Sequence, residues 1–153
     1  MTKLTILALA CVMVLSPGKC LAKTPDETSH QLSSYVEKTY SLSDVELIAL
    51  VTMAEAEGEP NEGKRLVIDT ILNRIDNPYY PDTAYDVIYQ SGQFTSMWNG
   101  RADMCYVRDD ICELVYEELE SRTNYDVIYF AAGWYSPYGE PLFQVGNHYF
   151  SAY

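Results

Sequence analysis

The chain has 153 residues, with 22 acidic and 10 basic side chains giving a formal net charge of −12, and it is 48 % hydrophobic. That length suits one domain, and the apolar fraction argues against global disorder. The acidic balance argues against a nucleic-acid partner, because phosphate binding needs a clustered Lys/Arg surface.

Residues 1–22 read as a secretory signal peptide. Lys3 starts it, residues 4–15 are uncharged and mostly apolar, and Ser16-Pro17-Gly18 break the run. Cys20 and Ala22 then supply small residues at the −3 and −1 positions of a cleavage site. The run is short for a membrane span, which needs roughly 20 apolar residues. A retained anchor is the alternative; Lys19 disfavours a lipid anchor on Cys20. Cleavage after Ala22 removes Lys3 and Lys19 and takes the charge from −12 to −14. The expected location is secreted or in the cell envelope. Residues 23–40 are polar and aperiodic, which predicts a flexible leader in which His30 is a surface residue. The folded unit is expected over 41–153.

A first helix is predicted to begin near Ser41 or Ser43, where Ser43 and Glu46 fit a capping box. Leu47, Leu50, Val51 and Ala54 mark its buried stripe, and Gly58 is placed to end it. A second helix starts at Asn61 or Glu62. Leu66, Val67, Ile71, Leu72 and Ile75 fill most of its circumference, so it should be central to the core, and Asp76-Asn77-Pro78 stops it. A short helix over 83–89 and a loop over 90–95 follow. A third long helix is predicted over 109–121, with Asp109 and Asp110 at its positive end. Residues 126–130 and 142–150 pattern as strands around a turn at 136–139. The predicted class is α+β, mostly helical with a small antiparallel hairpin.

The most informative stretch for chemistry is Ala54-Glu55-Ala56-Glu57-Gly58-Glu59-Pro60. Taking Leu47 as origin, Glu55 falls at about 80° around the helix, between Val51 at about 40° and Ile48 at about 100°. Glu57 lies near Leu50, so apolar company is not unique to Glu55. Both carboxylates fall in the last turn, where the helix dipole disfavours negative charge. Burial and the helix end both favour the neutral carboxyl, which a general acid needs. A solvated acidic helix end fits the composition as well.

Three pieces decide between these readings: residues 53–75 (MAEAEGEPNEGKRLVIDTILNRI), residues 87–98 (VIYQSGQFTSMW) and the tail GNHYFSAY. In that order they resemble the SleB/CwlJ-type cell-wall hydrolases, the spore cortex-lytic family, over about residues 42–153. That family is similar to lysozyme-like and soluble lytic-transglycosylase folds and acts on the glycan strands of peptidoglycan, with a role in germination. The resemblance implies that Glu55 is the essential acid. It implies glycan cleavage between N-acetylmuramic acid and N-acetylglucosamine, by lytic transglycosylation to 1,6-anhydromuramyl ends, with hydrolysis of the same bond as the alternative. One departure stands out: Glu57 occupies a position where the family typically carries Arg.

A single acid suffices for transglycosylation. Glu55 protonates the glycosidic oxygen, an oxocarbenium-like state develops, and the muramyl C6 hydroxyl attacks C1 with Glu55 now as base. Hydrolysis needs a second acid, for which Glu59 is the first candidate. Gln93, Phe94 and Thr95 are candidate sugar contacts, through an amide, a ring face and a hydroxyl. Asn73 is a candidate brace for the Glu55 loop. His148 and Tyr149 are candidate groove residues, although Tyr149 and Phe150 cannot share one face of a regular strand. Trp134, Tyr135 and Tyr138 form an aromatic turn that could stack on sugars or pack beneath the hairpin.

After export Cys105 and Cys112 remain, and a local disulfide between them is expected, with two free thiols as the alternative. With two His in the chain and no HExxH-like spacing, no metal and no cofactor are indicated. The expected partner is peptidoglycan, with room for an activating or anchoring protein, and the chain is expected to be a monomer. Rival readings are a Cys105/His148 peptidase or amidase and a non-catalytic wall-binding module on the tyrosine-rich surface.

Overall fold

The computed structural model describes residues 42–153; the expected signal peptide, the leader with His30, and Ser41 lie outside the described residues. Among the described residues four helices carry the fold: α1 (Leu42–Ala56), α2 (Asn61–Asp76), α3 (Ala84–Ile88) and α4 (Asp109–Glu120). Two 3-10 turns, Thr95–Met97 and Ala102–Met104, lie between α3 and α4. Three strands follow, β1 (Tyr129–Ala132), β2 (Pro141–Val145) and β3 (His148–Ser151). The class is mostly helical α+β, as the residues predict.

α2 is the central helix. Every residue from Leu66 to Arg74 is buried, so its surroundings must satisfy its polar groups. Thr70 does so within the helix, donating to the Leu66 carbonyl at 2.8 Å. Pro60 at the cap position starts α2 and Asn77 ends it. α1 begins at Leu42, so Ser43 lies in its first turn and not at its cap. Its burial is wider than the predicted stripe: Val45, Ile48, Ala49, Val51, Met53 and Ala54 are all enclosed, whereas Leu47 and Leu50 are half-buried. The reason is that α1 packs against both α2 and α4 and so has two covered sides. α1 stops at Ala56, two residues before Gly58, and the Glu59 N–H donates to the Ala56 carbonyl at 3.0 Å to turn the chain.

A second anchor joins α2 to α4. Glu118 is buried and takes Arg65 Nη1 at 2.6 Å and the Thr123 N–H at 2.6 Å. Buried Asp69 beside it accepts from the Asn124 N–H at 2.8 Å. Burial first, and then the Glu118 charge, push the Asp69 carboxyl up to about 8.

The sheet corrects the predicted hairpin. Its order is β1-β3-β2, all antiparallel, with the last strand in the middle. The predicted strand at 142–150 is itself a hairpin, because Gly146 and Asn147 reverse the chain between the paired Val145 and His148. Gly146 has φ +56° and Asn147 does not have positive φ, the pattern of a two-residue turn with glycine first. The pairing of Ala132 with His148 and of Phe130 with Phe150 fixes which side chains of β3 face the helices. Phe150 is fully buried with Leu66 and Val127.

Candidate active site

Glu55 lies in the last turn of α1 and is half-buried. Ser96 Oγ donates to its Oε1 at 2.5 Å. Ser96 is itself buried, on the 3-10 turn that follows Phe94. This bond fixes one carboxyl oxygen and leaves Oε2 as the oxygen available for proton transfer.

The carboxyl opens into a cleft of about 380 Å³. Gln93, Phe94 and Thr95 line one side, Tyr129 and Tyr138 another, and His148 and Arg74 complete it. Three segments distant in sequence therefore meet at Glu55. Gln93 and Thr95 are exposed, as sugar contacts need to be. Phe94 is buried, packs with the main core and with Phe130 at 6.2 Å, and forms the cleft floor.

His148 reaches the cleft from β3. Its ring packs on Phe130, with centroids 5.1 Å apart, and its Nδ1 is buried without a hydrogen-bond partner. Burial pulls its pKa below the ordinary value, opposed by the charges of Glu59 and Glu55. The ring is therefore neutral at pH 7 and near both carboxylates.

Other candidates lie elsewhere. Glu59 is not on the cleft wall; its Oε2 accepts from the Asn147 N–H at 3.0 Å and holds the β2–β3 turn. Tyr149 points to the other face of β3, against Tyr135, with ring centroids 5.0 Å apart at 78°. Asn73 braces a different loop from the one expected. Its amide donates to the Asn124 and Val127 carbonyls at 3.0 and 2.9 Å, and its oxygen accepts from Arg122. Glu57 is exposed and ion-paired with Arg101, which answers the acid standing in the family's Arg position. Trp134 is exposed and does not line the cleft, whereas Tyr138 from the same turn does.

The expected disulfide is absent: Cys105 and Cys112 are both free thiols. Cys105 Sγ sits 3.5 Å from the Arg101 carbonyl, and both side chains pack against the main core. Cys105 does not line the cleft that holds His148, so the two are not brought together as nucleophile and base. A larger, more open depression of about 660 Å³ lies around Asn73, Asp76, Arg122 and Tyr153. Within it Arg122 is ion-paired with Asp76 at 2.7 Å. No group of three or more potential metal ligands occurs among the described residues.

Ser96, Arg74 and Tyr129 were not singled out from the sequence. Ser96 follows Gln93-Phe94-Thr95 directly, and Arg74 belongs to the Leu-Asn-Arg run, so position within those motifs was the available signal.

The family model for cell wall hydrolases matches residues 58–151, more than half of the chain. The chain belongs to the cell wall hydrolase family. Glu55 lies just before the matched stretch of this cell wall hydrolase. The spore cortex-lytic enzyme of Oceanobacillus iheyensis is 37 % identical over 76 residues, covering 50 % of this chain and 28 % of that protein. That of Bacillus subtilis is 35 % identical over 65 residues, covering 42 % of this chain and 21 % of that protein. The match thus spans 21–28 % of the length of these curated relatives. Among solved structures, the catalytic domain of the Bacillus cereus SleB protein superposes with a TM-score of 0.65 at 24 % identity, over 73 % of this chain and 91 % of that one. The catalytic domain of the germination-specific lytic transglycosylase SleB of Bacillus anthracis gives 0.64 at 22 % identity, over 73 % and 96 %. At these identities the likeness is one of fold.

Proposed function

We propose that this cell wall hydrolase cleaves peptidoglycan glycan strands between N-acetylmuramic acid and N-acetylglucosamine, as a lytic transglycosylase with Glu55 as acid and then base. One observation carries the mechanism: among the described residues, Glu55 is the one carboxylate lining the cleft. Protonated Glu55 gives its proton to the glycosidic oxygen as the bond to C1 breaks. The carboxylate then takes the proton of the muramyl C6 hydroxyl as that oxygen closes on C1. No water enters the products. Ser96 holds Oε1 throughout. The engagement of Glu59 with Asn147 supports this single-acid route over hydrolysis, which needs a second carboxylate.

The reading includes export, on the pattern of residues 1–22, and peptidoglycan as the binding partner. Spore cortex, on which the names of the spore cortex-lytic relatives rest, and vegetative wall are the two substrates to compare. The test is mass spectrometry of fragments released by wild type and Glu55→Gln. Anhydromuramyl ends from wild type and none from the variant are expected. Reducing muramyl ends would replace transglycosylation by hydrolysis. Activity surviving in Glu55→Gln, or cut peptides, would overturn the assignment.

A further inference from the structure

Arg74 is the exception among the described arginines. Arg65, Arg101, Arg108 and Arg122 each pair with a carboxylate. Arg74 is only 4 % exposed, yet it has no ion pair among the described residues. Its Nε donates to the Ile128 carbonyl at 2.9 Å. Aromatic rings surround the rest: the guanidinium carbon lies 5.3 Å from the centroids of Tyr80 and Phe94 and 5.8 Å from that of Tyr129. Ring faces stabilise a cation but do not accept four further N–H groups in plane. Burial pulls the guanidinium pKa below its ordinary value, the sign of a charge enclosed without compensation. The same side chain lines the cleft that holds Glu55 and Gln93. An enclosed cation with unused donors on a cleft wall is built for an acceptor that arrives from outside.

We propose that Arg74 is a specificity-determining residue that donates its unused guanidinium N–H groups to an acyl oxygen on a sugar held in the Glu55 cleft. A planar fork of N–H donors matches a carboxylate bidentately and can also converge on a carbonyl oxygen. Two substituents of the glycan offer that chemistry: the acetamido carbonyl, and the lactyl carboxyl group of muramic acid. The inference rests on the proposed glycan-cleaving function and names what the same cleft recognises.

The experiment compares wild type, Arg74→Lys and Arg74→Gln on three probes. These are glycan strands freed of stem peptides, the same strands with lactyl carboxyls reduced to alcohols, and N-acetylglucosamine oligomers. Arg74→Gln is expected to raise KM on the peptide-free strands at least tenfold with a smaller change in kcat, and Arg74→Lys to recover part of it. If the lactyl group is the ligand, carboxyl reduction costs wild type the same factor and leaves Arg74→Gln unchanged. If the acetamido group is the ligand, reduction costs nothing and oligomer binding weakens in Arg74→Gln. An unchanged KM in both variants overturns the proposal. If Arg74→Gln fails to fold, the wild-type Arg74 side-chain nitrogen resonances give the answer: a shift on adding strands or oligomers supports it, and no shift overturns it. Wild type that cleaves normally while the variants match it defeats this inference alone. Wild type that cleaves nothing defeats the proposed function, and the resonances still decide whether Arg74 binds glycan.

Discussion

The Asn147 backbone N–H donates to Glu59 Oε2 at 3.0 Å, tying the β2–β3 turn to the loop between α1 and α2. The fit leaves no space at the turn: a Cβ on Gly146 would lie 1.8 Å from Glu59 Oε2. Glu55 lies in the last turn of α1 and His148 begins β3, so this contact ties together the two segments next to those cleft residues.

Glu59 therefore has a structural role. Glu59→Ala is expected to lose about 1 kcal/mol of stability, the usual net worth of a hydrogen bond at an exposed turn whose N–H can turn to water. Glu59→Gln, which keeps an acceptor oxygen, should retain stability and the same cleavage products. Thermal melts together with product analysis check both; loss of chemistry in a folded Glu59→Gln would return Glu59 to the mechanism.

Replacement of Glu55 by Gln preserves shape and the acceptor for Ser96 but removes the transferable proton. Glycan cleavage should fall by roughly 10²–10⁴-fold, the usual contribution of a general acid–base. Melting temperature should stay near that of wild type, since the side chain is half-buried and its replacement is isosteric. Initial rates of fragment release provide the measure.

Ser96 acts through Glu55. Ser96→Ala removes one hydrogen bond to the carboxyl, worth about 1 kcal/mol, and should lower kcat about fivefold with KM nearly unchanged. A shift in the pH–rate profile should accompany it, which loss of packing alone would not produce.

Asp69 makes stability depend on pH. Its folded value of about 8 lies above the ordinary 3.8, so between these values the unfolded chain binds fewer protons. The contribution is complete below about pH 4 and is lost as pH rises through 8. Its Oδ1 is buried with no donor beside it, as suits a carboxyl that itself keeps the proton and donates it in a hydrogen bond towards Glu118. Asp69→Asn copies the protonated form. Its stability difference from wild type should move in its favour from pH 5 to pH 9; a pH-independent difference would contradict the shared proton.

Much of this protein is legible from residue order. Apolar spacing marks α2 and α4 to within a residue, since a helix with many buried turns imposes a period no other structure shares. The motif order around Ala-Glu-Ala and Gly-Gln-Phe singles out Glu55 and Gln93 to Thr95, and the fold brings these short stretches together along one cleft. The Gly146-Asn147 turn was also within reach, as a two-residue reversal between apolar runs. What the sequence leaves open is decided by contacts between distant segments. Glu59, three residues beyond α1, points to a turn 88 positions away instead of the cleft. Arg74 looks like an ordinary helical charge until Tyr80, Phe94 and Tyr129 close around it. Local periodicity determines which faces are buried; whether a charged group on such a face meets a partner, a ring or an open cleft depends on what the tertiary fold brings opposite it.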